Sequence, residues 1–127
     1  MPTRRILVVE DELNVRLTLA QMLRLSGYEV LEAATGDDAI ALARGTNLDL
    51  LLSDIRLPGI DGYELLRRIR VLHPEIRGVA MTGYADGASQ RLALEAGFDC
   101  LLRKPFPFNV LLQAIASCLG SPPAGNA

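Results

Sequence analysis

Five side chains of this sequence stand where short apolar runs give way to polar ones. Glu10 and Asp11 follow Ile6–Val9, Asp54 follows Leu50–Leu52, Thr82 closes Arg77–Thr82, and Lys104 comes just after Cys100–Leu102. If the runs are parallel strands, all these groups meet on one edge of a sheet. Three carboxylates brought together repel one another, which raises the pKa of at least one unless a cation compensates. Mg²⁺ suits that role, being a hard ion that takes a few carboxylates and keeps several waters. An aspartate beside Mg²⁺, an ammonium and a hydroxyl is equipped to receive a phosphoryl group. The cations neutralise charge on the transferring oxygens, and the hydroxyl donates a hydrogen bond. Gly83, without a side chain, leaves room beside Thr82. Lys104 stands out further because the other twelve of the thirteen basic residues are arginine.

The elements that must position these groups are legible from periodicity. Leu50-Leu51-Leu52 is too short for a helix and is bounded by turn residues, which predicts a strand buried on both faces of a parallel sheet. Pro58, Gly59 and Gly62 stop it from continuing. Ile6–Val9 is a second such run, and Tyr28–Leu31, Arg77–Thr82 and Cys100–Leu102 supply three more. Between them helices are predicted over Leu13–Leu25, from Thr35 through Arg44, over Tyr63–Leu72, from Asp86 to Ala96 and over Phe108–Leu119. In the first helix Val15, Leu19, Met22 and Leu23 form the apolar stripe, with Arg16 and Arg24 away from it; in the third, Leu65, Leu66, Ile69 and Leu72 face the core. Ser26-Gly27 closes the first helix, Thr35 and Asp38 form a capping arrangement for the second, and His73-Pro74 ends the third. Five βα units with short right-handed crossovers make an α/β, doubly wound parallel sheet. Ligands of such sheets bind beyond the carboxyl ends of the strands, where Asp54 is expected.

A length of 127 residues, half of them hydrophobic, suffices for one domain and not for two. The organisation read from the pattern is one domain over residues 4–120, followed by a polar, Pro- and Gly-containing tail or linker over residues 121–127. No apolar run approaches the roughly 20 residues of a membrane span, and the start of the chain lacks a signal-peptide pattern, so the expected location is cytoplasmic and no membrane partner is expected. The net charge of −2 and pI of about 5.3 exclude the basic footprint of direct nucleic-acid binding. Cys100 and Cys118 lie in apolar segments without metal-ligand spacing and read as reduced, buried thiols.

The motifs Ile-Leu-Val-Val-Glu10-Asp11-Glu12, Ser53-Asp54-Ile-Arg56-Leu-Pro58-Gly59-Ile-Asp61-Gly62, Met81-Thr82-Gly83 and Lys104-Pro105, in this order, resemble the receiver domain of two-component response regulators. The resemblance implies a five-stranded sheet in the order 2-1-3-4-5, the flavodoxin- and CheY-like arrangement. It implies that Asp54 is the phosphoacceptor, that Asp11 and Asp54 ligate Mg²⁺ directly, that Glu10 supports the ion through water, and that the backbone carbonyl of Arg56 completes the metal site. Thr82 and Lys104 would contact the phosphoryl group, and the Lys104-Pro105 bond would be cis. The implied partner is a sensor histidine kinase or a histidine phosphotransfer protein, with room for a homodimer. The implied role is regulatory rather than enzymatic, the chain assisting only its own phosphorylation and dephosphorylation. The sequence departs from the family pattern twice: Leu101 stands where an aromatic usually turns inward on activation, and Glu10 replaces the commoner aspartate. Arg56 and Tyr84 occupy positions that tune the rates.

Other readings compete with these. Glu12 reads as a solvated helix start, Asp61 as a turn or cap residue, Asp49 as a strand-edge residue, and His73 as exposed rather than catalytic. A silent docking module would keep the fold without turning over, but the intact Asp11, Asp54, Thr82 and Lys104 argue against it. A flavodoxin-type nucleotide or flavin binder would cradle phosphate after the first strand, where Glu10-Asp11-Glu12 repels it. A haloacid-dehalogenase-type phosphatase would need an acid two residues after Asp54, where Arg56 stands.

Overall fold

Apolar runs that alternate their side chains above and below a pleat can be buried on both sides only if helices cover both faces. The computed structural model, which describes residues 3–83 and 87–120, meets that requirement. The elements are β1 (Arg5–Val9), α1 (Leu13–Leu25), β2 (Glu29–Ala33), α2 (Gly36–Arg44), β3 (Leu50–Asp54), α3 (Gly62–Leu72), β4 (Arg77–Thr82), α4 (Gly87–Glu95), β5 (Cys100–Arg103) and α5 (Phe108–Cys118). The five strands are parallel and lie in the order β2-β1-β3-β4-β5.

The period-two alternation sorts the core into two layers. Leu7, Val9 and Leu51 face α2 and α3 through Ala39, Ile40, Leu65, Leu66 and Ile69. Ile6, Val8, Leu50, Leu52, Val79 and Met81 face α1 and α5 through Leu19, Leu23, Leu111 and Ile115. Leu50, Leu51 and Leu52 are each fully buried, and each such side chain contributes about 1.5–3 kcal/mol of transfer free energy. β3 is therefore the spine of both layers, flanked by β1 and β4.

The helix starts follow local chemistry. Glu12, Thr35 and Asp61 cap α1, α2 and α3, their side chains accepting hydrogen bonds from the amides of Val15, Asp38 and Glu64. The readings of Glu12, Thr35 and Asp61 thus hold. Asp49 is the strand-edge residue expected, accepting from the Arg5 amide at 2.8 Å. The capping role assigned to Asp86 lies outside the described residues, as do the rate-tuning position Tyr84 and the tail over 121–127.

Several expectations need correction. β2 begins and ends later than Tyr28–Leu31, because Glu29–Ala33 pairs rung for rung with the whole of β1. On α1 the buried stripe is Leu19, Ala20 and Leu23, while Val15 and Met22 are exposed and Arg16 is half-buried. Arg16, Leu19, Ala20 and Leu23 follow the i, i+3, i+4, i+7 pattern of one helix face, so the polar residue belongs to the inward face. Leu72, assigned to the core of α3, is 40% exposed at the last turn. His73 is half-buried, with its Nε2 2.8 Å from the carbonyl oxygen of Ala43, tying the ends of α2 and α3 together. Cys100 and Cys118 are free and only half-buried; burial raises both thiol pKa values, that of Cys118 to about 11. Both shifts disfavour the thiolate.

Candidate functional site

The parallel sheet brings the chemistry-bearing residues together at the carboxyl ends of the strands. β3 carries Asp54 as its last residue, with the side chain nearly buried. Glu10 lies one residue past β1 and is 2% exposed, whereas Asp11 next to it is exposed. Thr82 ends β4 and is buried, and its carbonyl accepts from the Lys104 amide at 2.7 Å, which sets Lys104 beside it across the β4–β5 ladder. The Lys104-Pro105 peptide is cis.

Lys104 is the hub. Its Nζ donates to Glu10 Oε2 and to Asp54 Oδ2, both at 2.6 Å. The remaining oxygens are held by backbone: the Arg56 amide donates to Asp54 Oδ1 at 3.0 Å and the Glu12 amide to Glu10 Oε1 at 3.2 Å. Burial pushes the Glu10 carboxyl pKa up, as does the charge of Asp54, against the opposing hydrogen bond from Lys104. For Lys104, burial works against the ammonium, but its hydrogen bonds to Asp54 and Glu10 outweigh it and leave the pKa raised. The ammonium is therefore a fixed charge in this cleft.

One oxygen each from Glu10, Asp11 and Asp54 lies within 4.8 Å of the others. Three hard oxygen donors, two buried and one open to water, match what Mg²⁺ takes: a few carboxylates, with water in the remaining positions. A single lysine charge compensates them only in part, so the donor set fits a divalent cation.

Residues 6–116 match the response regulator receiver domain. The chain belongs to this family. As a receiver it is 31% identical over 119 residues to sporulation initiation phosphotransferase F of Bacillus subtilis, covering 94% of this chain and 96% of that protein. It is 36% identical over 117 residues to the CAI-1 autoinducer sensor kinase/phosphatase CqsS of Vibrio cholerae, of whose length it spans only 17%. A CheY-like receiver from Methanospirillum hungatei superposes with a TM-score of 0.87 at 34% identity, covering 94% of this chain and 95% of that one. A response regulator from Burkholderia pseudomallei with a phosphorylated aspartic acid and a calcium ion superposes with a TM-score of 0.81 at 32% identity, covering 87% of this chain and 65% of that one. Receivers are regulatory domains of two-component phosphorelays, and the strand order here is theirs.

Of the site residues expected from sequence, the receiver gathers Glu10, Asp54 and Lys104 into one hydrogen-bonded group, with an Asp11 oxygen within 4.8 Å of those of Glu10 and Asp54 and with Thr82 adjoining. Arg56 contributes its amide to Asp54, and its side chain is exposed. Leu101 is half-buried against the layer containing Leu51 and Ala80. Two residues of the surroundings were not singled out in sequence for the site. Gly62 approaches so closely that a Cβ there would lie 2.6 Å from the Asp54 carbonyl oxygen. Arg16 donates through Nη1 to the Glu10 carbonyl at 2.9 Å. Its i, i+3, i+4, i+7 relation to Leu19, Ala20 and Leu23 was the signal that places it inward.

Proposed function

We propose that this receiver is a phosphorylation switch in which Asp54 accepts a phosphoryl group from a histidine kinase or a histidine phosphotransfer protein in a Mg²⁺-dependent reaction. The observation that carries the reading is the Asp54 carboxylate at the end of β3, shared with Lys104 at 2.6 Å and clustered with Glu10 and Asp11. The phosphorylated aspartic acid and calcium ion of the Burkholderia relative support it.

Glu10, Asp11 and Asp54, with the Arg56 carbonyl, would hold the metal. When bound, the ion neutralises charge on the transferring phosphoryl oxygens. An Asp54 oxygen forms the new O–P bond as the P–N bond to the donor histidine breaks; the electron pair returns to the imidazole nitrogen, which takes up a proton. Lys104, released from sharing Asp54 and Glu10 alone, pairs with a phosphoryl oxygen, and the Thr82 hydroxyl donates to another. The Arg56 amide, already on Asp54 Oδ1, keeps the carboxylate plane fixed during approach. Gly83 leaves open space on that side, with nothing within 4 Å of a Cβ placed there.

The test is intact mass after incubation with acetyl phosphate or a phosphorylated donor, with and without Mg²⁺. A gain of one phosphoryl mass that needs Mg²⁺ and is absent from Asp54→Asn is expected. A gain retained by Asp54→Asn would place the acceptor elsewhere, and no gain from any donor would leave a docking role in its place.

A further inference from the structure

The Glu10 carbonyl belongs to the peptide that joins the two acids just past β1, so its direction sets how both acids leave the strand end. β1 ends at Val9, one residue too early for its regular ladder to orient this group. The Glu10 amide is still tied to β2, donating to the Ala33 carbonyl at 3.1 Å. The carbonyl on the other side is held by Arg16, whose Nη1 reaches it at 2.9 Å from the first turns of α1. The Arg16 side chain is 15% exposed, and its guanidinium is backed by Glu32 of β2, 3.6 Å from Nε. Glu32 also meets Arg24 Nη2 at 3.2 Å, so two arginines of α1 hold its carboxylate in place.

We propose that Arg16, seated on Glu32, is a positioning residue for the metal-binding acids: it fixes the plane of the Glu10–Asp11 peptide and with it the directions of both carboxylates. This rests on the reading of Glu10, Asp11 and Asp54 as a Mg²⁺ site. A planar guanidinium can meet a carbonyl with one nitrogen and a carboxylate with another, which an ammonium on a flexible stem cannot reproduce. Charge alone predicts the opposite consequence. A cation beside a cation site repels the metal, so a merely electrostatic Arg16 would weaken binding and its removal would strengthen it. Residues that orient metal ligands from behind typically govern affinity by 10–100-fold.

The experiment titrates the whole chain with MgCl₂ alone, following backbone amide shifts, for the wild type, Arg16→Met and Arg16→Lys. Before metal is added, in EDTA, the ¹³C shift of the Glu10 carbonyl reports the hydrogen bond directly. The expected result is an upfield move of that carbon in Arg16→Met and about a tenfold rise in the Mg²⁺ dissociation constant, with Arg16→Lys recovering only part of either. Equal or tighter Mg²⁺ binding by a folded Arg16→Met overturns the proposal and leaves the metal site standing. If Arg16→Met does not fold, Glu32→Gln decides: its Glu10 carbonyl carbon should move in EDTA, and an unchanged shift overturns the proposal. A wild type that shows neither Mg²⁺-dependent shifts nor phosphoryl uptake overturns the metal reading, and this proposal with it.

Discussion

Lys104 is one cation facing two buried carboxylates, and that imbalance costs stability unless a further cation compensates it. Burial raises the Glu10 pKa above its ordinary 4.5. The native state thus holds this proton more tightly than the unfolded chain does. The corresponding stability is fully present below the unfolded pKa and is lost as pH rises through the higher native one. Glu10→Gln keeps the shape and an acceptor for Lys104 but removes the charge, leaving Asp54 and Lys104 as a balanced pair. In EDTA near neutral pH the variant is expected to be more stable than the wild type by about 1 kcal/mol. The difference should shrink towards zero near pH 4, where Glu10 is itself neutral. Urea midpoints measured across that range check this, and a variant less stable than the wild type at neutral pH would contradict it. A more stable variant would mean that stability is given up to keep the acid pair, as at a site maintained for a cation.

At the scale of elements, β3 must end in a carboxylate and turn at once into α3, and Gly62 makes the turn fit. A Cβ at Gly62 would lie 2.6 Å from the Asp54 carbonyl oxygen and 2.9 Å from the Ile55 Cα. Both are backbone atoms, which cannot swing aside. Gly62→Ala is therefore expected to cost about 1–3 kcal/mol in chemical denaturation, while Gly83→Ala, with open space around it, should stay within about 0.5 kcal/mol. Equal stability of the two variants would remove the steric account of the β3–α3 turn. Elements such as β3 were plain in the sequence because an unbroken apolar run bounded by Pro and Gly admits few alternatives. Helix faces were less plain. A stripe drawn through Val15, Leu19, Met22 and Leu23 satisfies apolarity, but the face that packs runs through Arg16, Leu19, Ala20 and Leu23, because a guanidinium can be buried where it finds a carbonyl and a carboxylate. The same difficulty hid the part of Arg16 beside the candidate site. Glu10, Asp11, Asp54, Thr82 and Lys104 could be read from strand ends. Which acid is buried, and what holds the peptide between the acids, depends on contacts from α1 and β2: helical spacing turns Arg16 inward, but its partners Glu10 and Glu32 are set by the tertiary fold.

Across the whole molecule, the site exists only when the sheet has closed. Lys104 reaches Glu10 across 94 residues of chain and Asp54 across 50, so no short stretch of the unfolded chain can assemble the cluster. β1 and β3 must pair before Glu10 and Asp54 share a cation, and β4 and β5 must join them before Lys104 arrives. A divalent cation held by Glu10, Asp11 and Asp54 thus binds the native state and not the unfolded one, and its binding free energy adds to global stability. Magnesium at about ten times its dissociation constant should add about 1.4 kcal/mol, which for a domain of this size raises Tm by about 4–7 °C. Melting the chain in EDTA, in MgCl₂ and in KCl of equal ionic strength measures the effect. Screening acts in both salts alike, weakening exposed ion pairs such as Arg5 with Glu29 and easing repulsion between like charges. An equal shift in the two salts would assign the stabilisation to screening and leave the acid cluster without a metal. A shift confined to MgCl₂ and reduced in Asp54→Asn would tie it to the same carboxylate proposed to receive the phosphoryl group.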